Sequence, residues 1–237
     1  MKCEYFDVHH VSFDMWLTLI RSNPMFRQKR DELFRDLFSL NASLESISAH
    51  FKKWDIRFTA INEKTGKNLD AEEMLSIVLS DLDHTDKFDG RMINEFFQRQ
   101  EDIFFMYHPK PIEENLPVFL KALKQQDINI SILSNTGFIK GKLLRKLMDH
   151  LELSQYMSFQ LYSDEISFSK PSDEAFSSLL SEARKHRHTD VANILHIGDN
   201  SNADVGGATV AGMQSALINS NNLSLLNLNI YRNKTMA

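Results

Sequence analysis

Apolar residues along the chain follow two rhythms. Short runs at 8–13 (VHHVSF), 128–133 (INISIL), 159–163 (FQLYS), 193–197 (NILHI) and, more weakly, 214–218 (QSALI) have the length and β-rich composition of buried strands. Between them the apolar positions recur at helical spacing. Leu116, Phe119, Leu120 and Leu123 share a face within 113–125, and Leu143, Leu144, Leu147 and Leu151 share one within 139–151. Ser172 opens 172–184 as an N-cap followed by two acids, which suits the positive end of a helix dipole. Residues 203–212 predict one more helix after the fourth strand. Strands alternating with helices predict an α/β fold, a doubly wound parallel sheet covered on both faces.

The stretch from about 22 to 105 breaks this alternation. It holds amphipathic segments but no strand pattern: Leu33, Phe34, Leu37 and Phe38, then Met74, Leu75, Val78, Leu79 and Leu82, then Ile93, Phe96, Phe97, Phe104 and Phe105. The pattern predicts a helical domain over 21–106, inserted after the first strand of a core formed by 1–20 and 107–237. The turn-rich segments RSNP (21–24) and YHPKP (107–111) are its expected hinges, and the Phe-rich face its expected core. The polar stretch from Asn219 to Ala237 is expected to be only partly ordered.

Composition narrows the function classes. The 237 residues carry 32 acidic and 27 basic side chains, a formal charge of −5, with no basic footprint for nucleic acid or for an anionic membrane surface. No apolar run reaches the length of a membrane span, and the first residues lack the apolar core of a signal peptide. Cys3 is the single cysteine, so no intramolecular disulfide forms. These features together predict a soluble, cytoplasmic protein.

Four short pieces then stand out, each at or just after the end of an expected strand, where open parallel sheets bind ligands. In Phe13-Asp14-Met15-Trp16-Leu17-Thr18-Leu19, Asp14 is a strand-end carboxylate able to ligate Mg2+ or to attack phosphorus. Ser134-Asn135-Thr136-Gly137 combines a hydroxyl with closely spaced backbone N–H groups suited to a phosphoryl oxygen. In Ser169-Lys170-Pro171-Ser172, Lys170 is placed before a helix as a point charge for a carboxylate and a phosphate. In Gly198-Asp199-Asn200-Ser201-Asn202-Ala203-Asp204, two carboxylates five residues apart are able to complete a hard-oxygen site with Asp14. Each piece alone also reads as a turn, a helix cap or a surface lysine.

In their order, these pieces resemble the four motifs of the haloacid dehalogenase (HAD) superfamily, across roughly 6–20 and 107–219. The insert falls where that family carries a helical C1-type cap. The resemblance implies that Asp14 is a nucleophile forming an aspartyl-phosphate, that Ser134, Asn135 and Lys170 hold the phosphoryl group, and that Asp14, the Trp16 main-chain carbonyl and Asp199 bind Mg2+. Asp204 is implied as a further ligand or a partner of one, and a small phosphorylated metabolite as the substrate. The sequence departs at Trp16, where family phosphatases usually carry a second Asp as general acid/base. Loss of such a group removes about 10²–10⁴-fold in rate, and an indole N–H only donates. His108 is one candidate replacement. A phosphate-binding protein without turnover and a 2-haloacid dehalogenase are the alternative readings; Asp199 and Asp204 argue against the second, since unneutralised carboxylates would face an anionic substrate.

Overall fold

The computed structural model describes residues 5–82 and 89–232; Cys3 and the tail after Arg232 lie outside them. Five parallel strands form the central sheet: β2 (His10–Phe13), β5 (Asn129–Ser134), β6 (Phe159–Tyr162), β7 (Ile194–Gly198) and β8 (Gln214–Leu217), in the spatial order β6-β5-β2-β7-β8. They coincide with the five expected strands. β2 lies in the middle, His10 beside both Asn129 and Ile194 and Phe13 beside both Ile132 and Ile197. The chain grows outward from β2 through β5 to β6, then crosses to β7 on the other side. The resulting crevice opens at the carboxyl end of β2.

Both faces of β2, β5 and β7 are buried, so these strands read as apolar runs rather than alternations. Helices α5 (Leu116–Gln125), α6 (Gly141–His150) and α8 (Asp173–His186) cover them. Ser172 caps α8 through a hydrogen bond from the Ala175 N–H. The helix expected over 203–212 is instead a π-helical turn, Ser201–Gly206, followed by the short α9 (Gly207–Val210). Gly207 packs so tightly that a Cβ there would lie 2.3 Å from the Phe176 ring.

The insert consists of α1 (Pro24–Leu37), α2 (Leu44–Thr65), α3 (Ala71–Asp81) and α4 (Gly90–Met106). Phe34, Phe38, Phe51, Phe58 and Phe96 form its own hydrophobic cluster. Phe104 differs: with Phe26 it joins the cluster around the sheet. The two expected hinges pair with each other, as β3 (Ile20–Arg21) and β4 (Lys110–Pro111) form a short antiparallel ribbon. Contacts also cross in the other direction, from the core into the insert. Phe138, after β5, is buried in the insert's cluster against Phe51 and Phe58, and the insert's Gln100 donates to its carbonyl.

Up to Arg232 the polar C-terminal stretch carries structure. Leu225, Leu228 and Ile230 are buried, and β9 (Asn229–Tyr231) pairs in parallel with β1 (Tyr5–Asp7). Three apolar anchors hold the segment between its polar residues. None of the described helices is long and apolar enough to cross a membrane.

β2 buries one group with a pH signature. His10 is fully buried, its Nε2 2.7 Å from the Ser131 hydroxyl and its Nδ1 without a partner. Burial, with a smaller push from His186, lowers its pKa from 6.5 to about 3. The folded state therefore excludes a proton that the unfolded chain accepts. This contribution to stability is complete above pH 6.5 and is lost as pH falls toward 3, at about 1.4 kcal/mol per pH unit. Denaturant unfolding between pH 7 and 4 is expected to show this slope, and His10→Gln to flatten it; an unchanged slope in the variant would exclude His10 as its source.

Candidate active site

The chain leaves β2 at Phe13 and turns at once. Main-chain bonds from the Leu19 and Ile20 N–H groups back to Met15 close the turn, with Leu17 in the left-handed region at φ 56°. Asn219 donates to the Leu17 carbonyl at 2.6 Å, so the C-terminal segment braces this turn. The turn leaves Asp14 at the floor of the crevice, only 7% exposed, with its N–H bonded to the Ile197 carbonyl.

Around Asp14 the structure brings together residues from all four sequence pieces. Lys170, 1% exposed, donates through Nζ to Asp14 Oδ1 at 2.8 Å and to Asp204 Oδ1 at 2.6 Å. The Ser134 hydroxyl, at the end of β5, donates to the same Asp14 oxygen at 3.1 Å. Among the described residues nothing donates to Asp14 Oδ2. Asp14, Asp199 and Asp204 each offer a carboxylate oxygen, and these oxygens lie within 4.8 Å of one another. Trp16 and Leu17 line the cavity above them.

The side chains divide into those already engaged and those still open. Asp204 Oδ1 also accepts from His196 Nε2 at 3.1 Å, and its Oδ2 accepts from the Asn200 N–H at 3.0 Å. Gly198 permits this, since a Cβ there would lie 2.1 Å from the Asp204 carboxylate. Asp199 receives no hydrogen bond from another described side chain. Asn135 lines the cavity, but its amide is occupied: it donates to the Lys170 carbonyl at 2.9 Å and accepts from the Lys170 N–H at 2.8 Å. It thus holds Lys170 in place. The Thr136 N–H is likewise bonded to the Ser163 hydroxyl, so the loop after β5 presents fewer open N–H groups than its sequence suggested.

Electrostatics follow from this packing. Burial, the largest influence on Asp14, pushes its carboxyl above the usual carboxylate range against the pull of Lys170. Burial also opposes charge on Asp204, but Lys170 and His196 outweigh it and hold that carboxyl well below its ordinary value. Burial disfavours charge on Lys170 too, yet Asp14 and Asp204 together keep its pKa raised. Asp199 has no such partner. Burial, then the charges of Asp14 and Asp204, raise its pKa to about 6.

Some site residues had no sequence signal of their own. His196 and Ser12 are polar residues inside buried strands, and their mutual contact of 3.0 Å fixes the His196 ring behind Asp204. A polar residue in an apolar run was the only hint. Glu63, on α2, accepts from the amides of Asn200 at 2.9 Å and Asn202 at 3.0 Å and so ties the insert to the loop after β7. His108, the candidate replacement acid, packs against His150 and does not line the cavity.

The family model for haloacid dehalogenase-like hydrolases matches residues 11–218. The chain belongs to that family. The HAD hydrolase YfnB of Bacillus subtilis, in a structure bound to magnesium, shares its fold with a TM-score of 0.68 at 17% identity, over 90% of this chain and 89% of that one. L-2-haloacid dehalogenase of Xanthobacter autotrophicus gives a TM-score of 0.60 at 18% identity, over 89% and 77% of the two chains. A HAD phosphatase of Thermococcus onnurineus gives 0.59 at 17% identity, over 94% and 93%. The uncharacterized protein YMR130W of Saccharomyces cerevisiae is 29% identical over 164 residues, 63% of this chain and 51% of that protein, so the match spans about half the relative's length. The chain is thus a HAD-like hydrolase with a helical cap over a Rossmann-like core.

The buried ion cluster sets a stability test. Lys170→Met leaves Asp14 and Asp204 without their shared cation, and loss of one partner from a buried ion pair costs about 3–5 kcal/mol. Chemical denaturation is expected to show a loss of that order; a loss under about 1 kcal/mol would mean the cluster is not the constraint described.

Proposed function

We propose that this protein is a Mg2+-dependent phosphohydrolase acting on a small phosphate monoester, with chemistry on the core (1–20 and 107–237) and the helical cap (21–106) covering it in a cytoplasmic setting. One observation carries this reading: three carboxylate oxygens converge within 4.8 Å around a strand-end Asp whose second oxygen is open.

The residues fit a hard divalent cation. The donors are carboxylates, the type Mg2+ takes, and a single ammonium leaves the cluster negative. The raised pKa of Asp199, about 6, reflects burial first and then the charges of Asp14 and Asp204, and a bound cation would offset both. Asp14, Asp199 and the main-chain carbonyl of Trp16 are the proposed direct ligands. Asp204, with both oxygens engaged, serves as a further ligand or as the anchor of Lys170. When bound, Mg2+ supplies the positive charge that lets an anionic nucleophile approach an anionic phosphoryl group.

This chain's own groups then perform the transfer. Lys170 and Ser134 fix Asp14 through Oδ1, and Oδ2 attacks phosphorus. The new Asp14 O–P bond forms as the ester P–O bond breaks, and the leaving oxygen takes a proton from water. A second water attacks the aspartyl-phosphate, restoring the Asp14 carboxylate and releasing inorganic phosphate. The Trp16 indole does not act as an acid or base near neutral pH, so esters with good leaving groups are the preferred substrates. The same residue favours one second reading, a phosphate-ligand binder without turnover. The unpaired Asp199 weighs against haloacid chemistry, where it would face an anionic substrate uncompensated.

Phosphate release from an ester panel is expected with Mg2+, to vanish with EDTA and to fall to background in Asp14→Asn. No turnover alongside measurable phosphate binding would favour the binder; EDTA-insensitive halide release from 2-haloacids would favour a dehalogenase. Trp16→Asp is expected to raise turnover, toward the roughly 10²–10⁴-fold that a general acid/base contributes. A fall would instead give the indole a positive role.

A further inference from the structure

The cavity above Asp14 holds about 630 Å³, within the roughly 300–1,000 Å³ of sites that enclose a whole small molecule and far larger than a phosphoryl group needs. Its floor is the ion cluster. Its roof is the cap, where Arg27 and Arg30 of α1 and Lys52 and Asp55 of α2 line the same space.

Arg30 is prepared in advance. Its guanidinium lies 3.9 Å over the Phe51 ring, and its Nε and Nη2 donate to Asp31 Oδ1 at 2.9 and 2.7 Å. Asp31 is itself 3% exposed. These contacts fix the plane of the group and leave Nη1 without a hydrogen bond among the described residues. Arg27, one helical turn earlier, makes no hydrogen bond or ion pair among them. Asp55 also lacks a hydrogen-bond partner there. Two guanidinium groups with open donors therefore face a cavity whose opposite end is the carboxylate and ammonium cluster proposed above to take a phosphoryl group.

Resting on the phosphate reading above, we propose that the substrate carries a second oxyanion, a carboxylate or a second phosphate, at the end remote from the scissile ester, and that Arg27 and Arg30 bind it. Guanidinium forks match the paired oxygens of such groups. The positions of Phe51 and Phe138 along the cavity wall suit a short carbon spacer between the two charges. Asp55 is the counterweight: it lies within electrostatic reach of both arginines and disfavours a second anion that is misplaced.

Calorimetric titration of the full chain in Mg2+ with phosphonates, whose C–P bond resists hydrolysis, tests this without turnover. Alkylphosphonates of two to five carbons are compared with ω-phosphonocarboxylates and α,ω-bisphosphonates of matching length. At one spacer length, an added carboxylate or phosphonate is expected to tighten binding about tenfold or more. Arg27→Ala and Arg30→Lys are expected to reduce that gain, leaving simple alkylphosphonate affinity unchanged, and Asp55→Asn to increase it. Arg30→Lys keeps a cation beside Asp31, and Arg27 has no partner to lose, so both variants should fold. If alkylphosphonates bind but no second anion tightens them, or the gain survives both arginine variants, the proposal falls while the phosphate reading stands. If no phosphonate binds, both fall.

Discussion

The buried ammonium of Lys170 is the interaction on which the rest of this molecule depends. An isolated ammonium at that depth would be strongly disfavoured, and so would the carboxylates of Asp14 and Asp204 without it. Each therefore requires the others, and each is delivered by a different element: Asp14 by β2, Lys170 by the approach to α8, Asp204 by the π-helical turn after β7. Asn135 clamps the Lys170 main chain, and His196, braced by Ser12, closes the far side. The parallel sheet supplies this arrangement by bringing three carboxyl ends to one edge.

Charge distribution then separates roles among similar residues. Asp204 is saturated and ionised, Asp199 is unpartnered and raised, and Asp14 has one oxygen held and one open. In the proposed chemistry, three aspartates of identical type become an anchor, a cation ligand and an attacking group through their neighbours alone. The proposed phosphoryl chemistry uses that separation, and the arginines of the cap continue the alternation of charge to the roof of the cavity.

Much of this was legible in the chain, because the relevant signals are local. Strand ends are marked by apolar runs that stop at a polar residue, and Asp14, Ser134 and Asp199 stand just there; Lys170 is marked by its proline and the following cap. What stayed hidden depends on contacts distant in sequence. The pairing of β1 with β9 joins two three-residue strands more than two hundred positions apart, each too short to carry a periodicity. Arg27, Arg30 and Glu63 look like ordinary charges on amphipathic helices until the cap is laid over the crevice. The resemblance implied Asn135 as a phosphate ligand, whereas its amide is committed to the Lys170 backbone. His108 drew notice as a histidine at the expected second hinge, and the fold packs it against His150.

Phe138 has a mechanical consequence. It is covalently part of the loop that follows Ser134, yet its ring belongs to the hydrophobic cluster of the cap. The cap therefore cannot swing away on the ribbon of Ile20–Arg21 and Lys110–Pro111 as an independent lid. Either the ring is drawn out into water, at about 2 kcal/mol for a buried aromatic of this size, or the loop travels with the cap. Any opening of the cap would thus disturb the pocket floor beside Asp14, through Phe138 as well as through the Glu63 tie to the loop after β7.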